Sequence, residues 1–232
     1  MQQSDLRPAR DFALQFGCKA VVYGKPGSGK TPVCVNTSPR PVFLASEPGM
    51  LTLRNSTVPT FTAFNPTKVD EFMLWFKGSN EAKNFDTLIW DSTSQSFEKY
   101  IEHEMGTGQS KAGNEQHGMR VYGKMARWAY GHLADLYFMP QKHIILISKL
   151  ERFEINGTIY NRPYYPGKVL PVQVPHLFDL VTCLGDWNVP GVGETKAFRT
   201  KETYDFMGRD RSGQLGEYEP PDISKIIAKV MK

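Results

Sequence analysis

Lys19-Ala20-Val21-Val22-Tyr23-Gly24-Lys25-Pro26-Gly27-Ser28-Gly29-Lys30-Thr31-Pro32-Val33-Cys34-Val35 decides the fold. Residues 19–23 are a short apolar run that reads as a strand. Gly24 to Thr31 then fits the spacing G-x-x-x-x-G-K-[ST] without deviation, between that strand and a helix, which is the context a P-loop requires. Gly24, Gly27 and Gly29 let the backbone curl so that successive N–H groups face phosphate oxygens, with Lys25, Pro26 and Ser28 carrying the loop between them. Lys30 supplies a point charge at the β and γ phosphates, and Thr31 offers a hydroxyl to Mg²⁺. The helix N-terminus adds favourable potential for anions, and Pro32 is tolerated in its first turn. The expected ligand is ATP with Mg²⁺; the bland alternative is a chance glycine turn.

Working outward, further apolar strands are expected at 41–46, 87–90 and 143–148, each ending in a polar residue. Helices are expected at 69–76, 92–104, 121–138 and 223–231, the last capped by Asp222. Strands alternating with helices imply an α/β fold with a mainly parallel sheet covered on both faces. Strands at 180–184 and 197–200 are expected to extend it in antiparallel fashion, and Asn156-Gly157 signals a hairpin. Residues 105–118 read as a mobile loop and 161–175 as a Pro- and Tyr-rich connection. No linker or repeat divides the chain, so 1–232 is one domain.

Composition sets the outer bounds. A chain of 232 residues can bury a full core as a single unit. Its net charge of +4 permits a polyanionic partner without demanding one. No apolar run is long enough to span a membrane, and the polar start is unlike a secretory signal. Cys18, Cys34 and Cys183 are scattered and show no metal-site spacing, so they read as reduced core thiols of a cytoplasmic protein.

Three strand ends carry further candidates. Asp91 follows Leu88-Ile89-Trp90 and is placed to serve Mg²⁺ with Thr31; the rival role is a cap on the next helix. Glu47 ends the second strand, where a carboxylate can deprotonate water; the rival is a solvated loop glutamate. Ser148 and Lys149 end the fourth strand, either sensing the γ-phosphate or serving as a backbone-paired hydroxyl and a surface charge.

The runs Tyr23 to Thr31, Phe43-Leu44-Ala45-Ser46-Glu47, Leu88 to Ser92 and Ile144 to Lys149 look like a RecA-type ATPase core. Together with Arg162-Pro163, Pro166-Gly167-Lys168, Phe178 to Val181 and Asp210-Arg211-Ser212-Gly213, the chain resembles the phage RecA-like single-strand annealing proteins of the fourth Sak class. It likewise resembles their wider phage AAA-type ATPase family, over a core of residues 18–227 that follows an N-terminal segment, 1–17. The resemblance implies Lys30, Glu47 and Asp91 as catalytic groups and Ser148 as a sensor. It further implies a homo-oligomer, ring or filament, in which Arg209 or Arg211 completes a neighbour's site. Against this stands a plain charged turn at 209–213.

The resemblance also implies single-stranded DNA contact by two loops. The first carries Lys111 and Arg120. The second carries Arg152, Phe153, Arg162, Tyr164, Tyr165 and Lys168, a mixture of cations and rings that suits single strands. The alternative there is a hairpin whose rings fill a local core. The expected function is ATP-dependent annealing of complementary strands in the host cytoplasm, with a cognate single-strand-binding protein as a further partner. The competitors are a nucleoside or nucleotide kinase and an ATP-dependent adaptor without turnover.

Overall fold

The computed structural model describes residues 8–107, 115–155 and 157–232. In chain order the helices are α1 (Ala9–Ala13), α2 (Lys30–Thr37), α3 (Pro66–Gly78), α4 (Thr93–Thr107), α5 (Glu115–Tyr137), α6 (Leu170–Leu177) and α7 (Ile223–Val230). The strands are β1 (Lys19–Gly24), β2 (Pro41–Ala45), β3 (Thr60–Thr62), β4 (Thr87–Asp91), β5 (His143–Ile155), β6 (Thr158–Pro163), β7 (Leu180–Val189), β8 (Gly193–Arg199), β9 (Arg209–Asp210) and β10 (Tyr218–Glu219).

The sheet runs β10-β8-β7-β1-β5-β4-β2-β3. From β7 to β3 every pairing is parallel; β8, β9 and β10 add antiparallel strands at one side. Alternation along the buried strands explains the two layers. Val21, Tyr23, Leu44, Trp90 and Leu146 face a core closed by α3 to α6. Val22, Phe43, Ile89, Ile145 and Ile147 face a core closed by α2 and α7. The expected α/β fold with a mainly parallel sheet, an antiparallel extension and a hairpin is what the structure has. No helix among the described residues is long and apolar enough to cross a membrane.

Several local expectations need correction. The strand beginning at Leu180 is parallel to β1, and only its partners are antiparallel. Residues 161–175, expected as a connection, instead hold the end of β6 and most of α6. Helix α4 runs on to Thr107 and α5 begins at Glu115, so residues 105–107 and 115–118, expected in a loop, are helical. Its candidate Lys111 lies outside the described residues.

Two hairpins flank the end of β1. Gly24 pairs with Lys149, so the half of β5 beyond that point rises past the P-loop and returns as β6. On the other side β7 passes Cys183, the partner of Tyr23, and returns as β8. The glycine-rich loop sits between them.

The nucleotide site and its surroundings

Gly24 ends β1 beside β7: a Cβ there would run into the Leu184 carbonyl oxygen. Gly27 (φ 77°) and Gly29 (φ 87°) take left-handed conformations that an L side chain adopts only under strain. These turns deliver the chain into α2 with its first N–H groups free of helical partners, an arrangement suited to anions.

Gly24, Pro26, Gly27, Gly29, Lys30 and Thr31 border one cleft of about 530 Å³, together with Glu47, Asp91 and Ser148. The Lys30 ammonium donates to the carbonyls of Gly24 and Lys25, both at 2.9 Å. Burial lowers its pKa, opposed by the charges of Asp91 and Glu47. Thr31 Oγ1 donates to Asp91 Oδ2 at 2.5 Å. Asp91 is 4% exposed. Burial pushes its carboxyl up to about 6 and Glu47 adds to the rise; the Thr31 hydrogen bond and Lys30 oppose it. The capping role weighed for Asp91 falls to its neighbour, since Ser92 Oγ accepts the Gln95 N–H at 3.3 Å.

Lys25 and Ser28 turn the other way. They line a second cleft, of about 390 Å³, with Asp186 and Trp187 of β7. The Ser28 hydroxyl is buried and without a partner among the described residues.

A network of small hydroxyls fixes the strand ends around the cleft. Trp90 Nε1 donates to Ser96 Oγ (2.8 Å) and Ser46 Oγ (3.1 Å), joining β4, α4 and the end of β2. Ser148 Oγ lies 2.9 Å from Ser94 Oγ and donates to the Tyr164 carbonyl at 3.0 Å. Its hydroxyl is therefore engaged with the backbone, the rival reading for this residue. Lys149 Nζ is held by Glu98 at 2.6 Å and Gln95 at 2.9 Å.

Sequence reasoning missed one cation. Lys196 of β8 donates to the Ser28 carbonyl at 2.8 Å and pairs with Asp186 at 3.7 Å. Nothing local marks it, because its partner lies across the chain and it falls just ahead of the strand expected at 197–200.

Arg209 and Arg211 lie at the opposite end of the sheet. Strand β9 pairs with Leu180 and Val181 at the start of β7, whereas the P-loop follows the far end of β1. Arg209 donates to the Pro175 carbonyl at 2.8 Å; Arg211 donates to the carbonyls of His176 and Leu177 and pairs with Asp179 at 3.1 Å. Asp210 closes the turn by accepting from the N–H groups of Ser212 (2.9 Å) and Leu215 (3.0 Å). Neither arginine is placed to reach its own chain's P-loop.

The candidate DNA residues divide. Tyr165 is a correction: it is 1% exposed and packs 5.8 Å from Phe97, so the core, not a base, takes its ring. In the hairpin, Arg162 lies 4.1 Å over the Phe153 ring and pairs with Glu151 at 2.7 Å; Phe153 and Tyr160 meet edge to face at 5.6 Å. Those side chains, all half-buried, engage one another within the hairpin. Arg152 and Lys168 remain exposed and Tyr164 half-buried, with Arg120 exposed on α5.

Residues 17–212 match the family model described as AAA domain. The chain belongs to the AAA domain family. No curated protein sequence matches it significantly. Among solved structures this AAA domain is similar to a KaiC-like protein from the hyperthermophilic archaeon Pyrococcus horikoshii OT3 (14% identity, 79% of this chain and 77% of that chain, TM-score 0.40). It is also similar to the flagellar accessory protein FlaH of Methanocaldococcus jannaschii (10%, 91% and 89%, TM-score 0.42). A third likeness is to an ATPase from the type III secretion system of pathogenic bacteria (14%, 75% and 55%, TM-score 0.42). At these scores the structural likenesses carry no functional weight.

The side chains present fit Mg-ATP. Thr31 and Asp91 form a hard, all-oxygen donor pair of the kind Mg²⁺ takes alongside phosphate oxygens. Lys30 and the glycine-rich turns border the same cleft.

Proposed function

We propose that this AAA domain hydrolyses ATP as one subunit of a homo-oligomer and uses the cycle to bind and anneal single-stranded DNA. The observation that carries the first half is the convergence of Lys30, Thr31, Glu47 and Asp91 on one cleft at the carboxyl ends of β1, β2 and β4. In this reading the loop N–H groups and Lys30 hold the phosphates, and Thr31 and Asp91 hold Mg²⁺. The metal, when bound, neutralises charge that develops on the transferring phosphoryl oxygens. Glu47 accepts the proton of the attacking water. A cation in trans falls to Arg209 or Arg211 of a neighbouring copy, since both sit away from their own chain's site.

Support for the DNA half comes from the continuity of β5. The strand that brings Ser148 and Lys149 to the cleft carries on into the hairpin bearing Arg152. The resemblance to single-strand annealing proteins points the same way, and adds a single-strand-binding protein as a further partner.

Glu47→Gln tests the chemistry. Turnover of ATP is expected to fall by about 10² to 10⁴ with ATP still bound, the span of a lost general base. Unchanged turnover removes Glu47 from that role, and a wild type with no turnover favours the adaptor reading. Filter binding at low salt tests the DNA half: failure to retain single strands, with or without ATP and Mg²⁺, sinks it.

A further inference from the structure

We infer that the outward face of α5 is a track for the phosphodiester backbone of a single strand, formed by Arg120, Lys124 and Arg127. This deepens the DNA-binding reading and rests on it. The three cations fall at i, i+4 and i+7, on one side of the helix, over about 10 Å of axis. All three are exposed. With Met119 and Gly123 they line a groove of about 530 Å³ whose described lining all comes from α5. Lys124 pairs with Glu104 at 2.8 Å. Among the described residues neither Arg120 nor Arg127 has a carboxylate partner. Like charges this close repel one another in the free protein and are relieved by a polyanion.

Gly123 lines the groove between the cations. A Cβ there would meet nothing within 4 Å, so no packing inside the described chain calls for a glycine. A glycine in a helix interior costs about 1 kcal/mol against alanine. Tyr130, 40% exposed, follows two turns along on the side of Gly123 and offers a ring to a base. Cations with an adjacent ring favour nucleic acid over an acidic peptide.

The test measures anisotropy of a labelled oligo-thymidine across a salt series. It compares the wild type, Arg120→Ala/Lys124→Ala/Arg127→Ala, and a control, Lys83→Ala/Lys225→Ala/Lys232→Ala, that removes the same charge elsewhere. Circular dichroism melts confirm that each is folded. Losing three phosphate contacts should make the slope of log K against log salt shallower by about 2, at 0.7 per contact. It should also weaken low-salt binding by about tenfold or more, with the control staying near wild type. A track variant that behaves like the control overturns the track and leaves DNA binding elsewhere standing. A wild type that binds no single strands overturns both. Competition by polyglutamate as strong as by DNA of equal charge overturns the nucleic-acid assignment.

Discussion

Asp91→Asn should stabilise the free protein while destroying its use of Mg²⁺. The Asp91 carboxyl is 4% exposed, and burial, aided by Glu47, pushes it from 3.8 up to about 6. Between these values the folded chain binds more protons than the unfolded one, so stability from this group falls as pH rises through that window. Above pH 6 the full penalty applies, about 3 kcal/mol at 1.36 kcal/mol per pKa step. Asparagine escapes it and keeps an oxygen for the Thr31 hydroxyl. The variant should therefore gain up to about 3 kcal/mol at pH 7.5 but only about 1 kcal/mol at pH 4.5. Urea denaturation of metal-free protein at the two pH values gives the comparison, read as a shift in midpoint at constant m. Adding Mg-ATP should raise the wild-type midpoint and leave the variant's nearly unmoved. A variant that is less stable at both pH values, or whose gain does not grow with pH, refutes the assignment of a buried, strained carboxylate.

Other consequences follow from the same geometry. Mg²⁺-dependent nucleotide affinity should weaken as pH falls below about 6, because Asp91 must lose its proton to serve a cation; calorimetric titration at pH 5.5 and 7.5 checks this. Lys196→Met should weaken ATP binding about fivefold, the equivalent of about 1 kcal/mol for a half-exposed hydrogen bond to the loop, and lower the melting temperature by no more than about 2–4 °C. Tyr165→Leu should cost about 2–3 kcal/mol in urea, yet leave the single-strand affinity of the folded protein unchanged, since the ring is in the core.

The sequence shows the sheet's centre most clearly. Strands β1, β2, β4 and the first half of β5 are each an apolar run closed by a glycine or a polar residue, and those points mark the cleft where Glu47, Asp91 and Ser148 stand. Elements away from the centre carry weaker marks. Strand β3 is three residues long, and α6 is disguised by Pro171 and Pro175. Lys19 also misleads, because a charge at a strand start reads as solvated. It is fully buried, its Nζ donating to the carbonyls of Met139 (3.1 Å) and Lys142 (2.6 Å), and burial pulls its pKa down to about 7. Tyr164 and Tyr165 are neighbours in a segment without helical or strand period. Which ring turns inward is set by Phe97, from α4, a contact that periodicity does not reveal. The same holds for Lys196, whose reach to the P-loop depends on how β7 and β8 fold back beside it.

Binding of ATP to the wild type and to Lys30→Ala, titrated by calorimetry with and without Mg²⁺, bears most directly on the central claim that this cleft holds a metal-bound triphosphate. The geometry predicts one ATP per wild-type chain, tighter with Mg²⁺, and a loss of affinity of tenfold or more in the variant, about 1.4 kcal/mol or greater. No binding by the wild type, or equal binding by the two proteins, would contradict it.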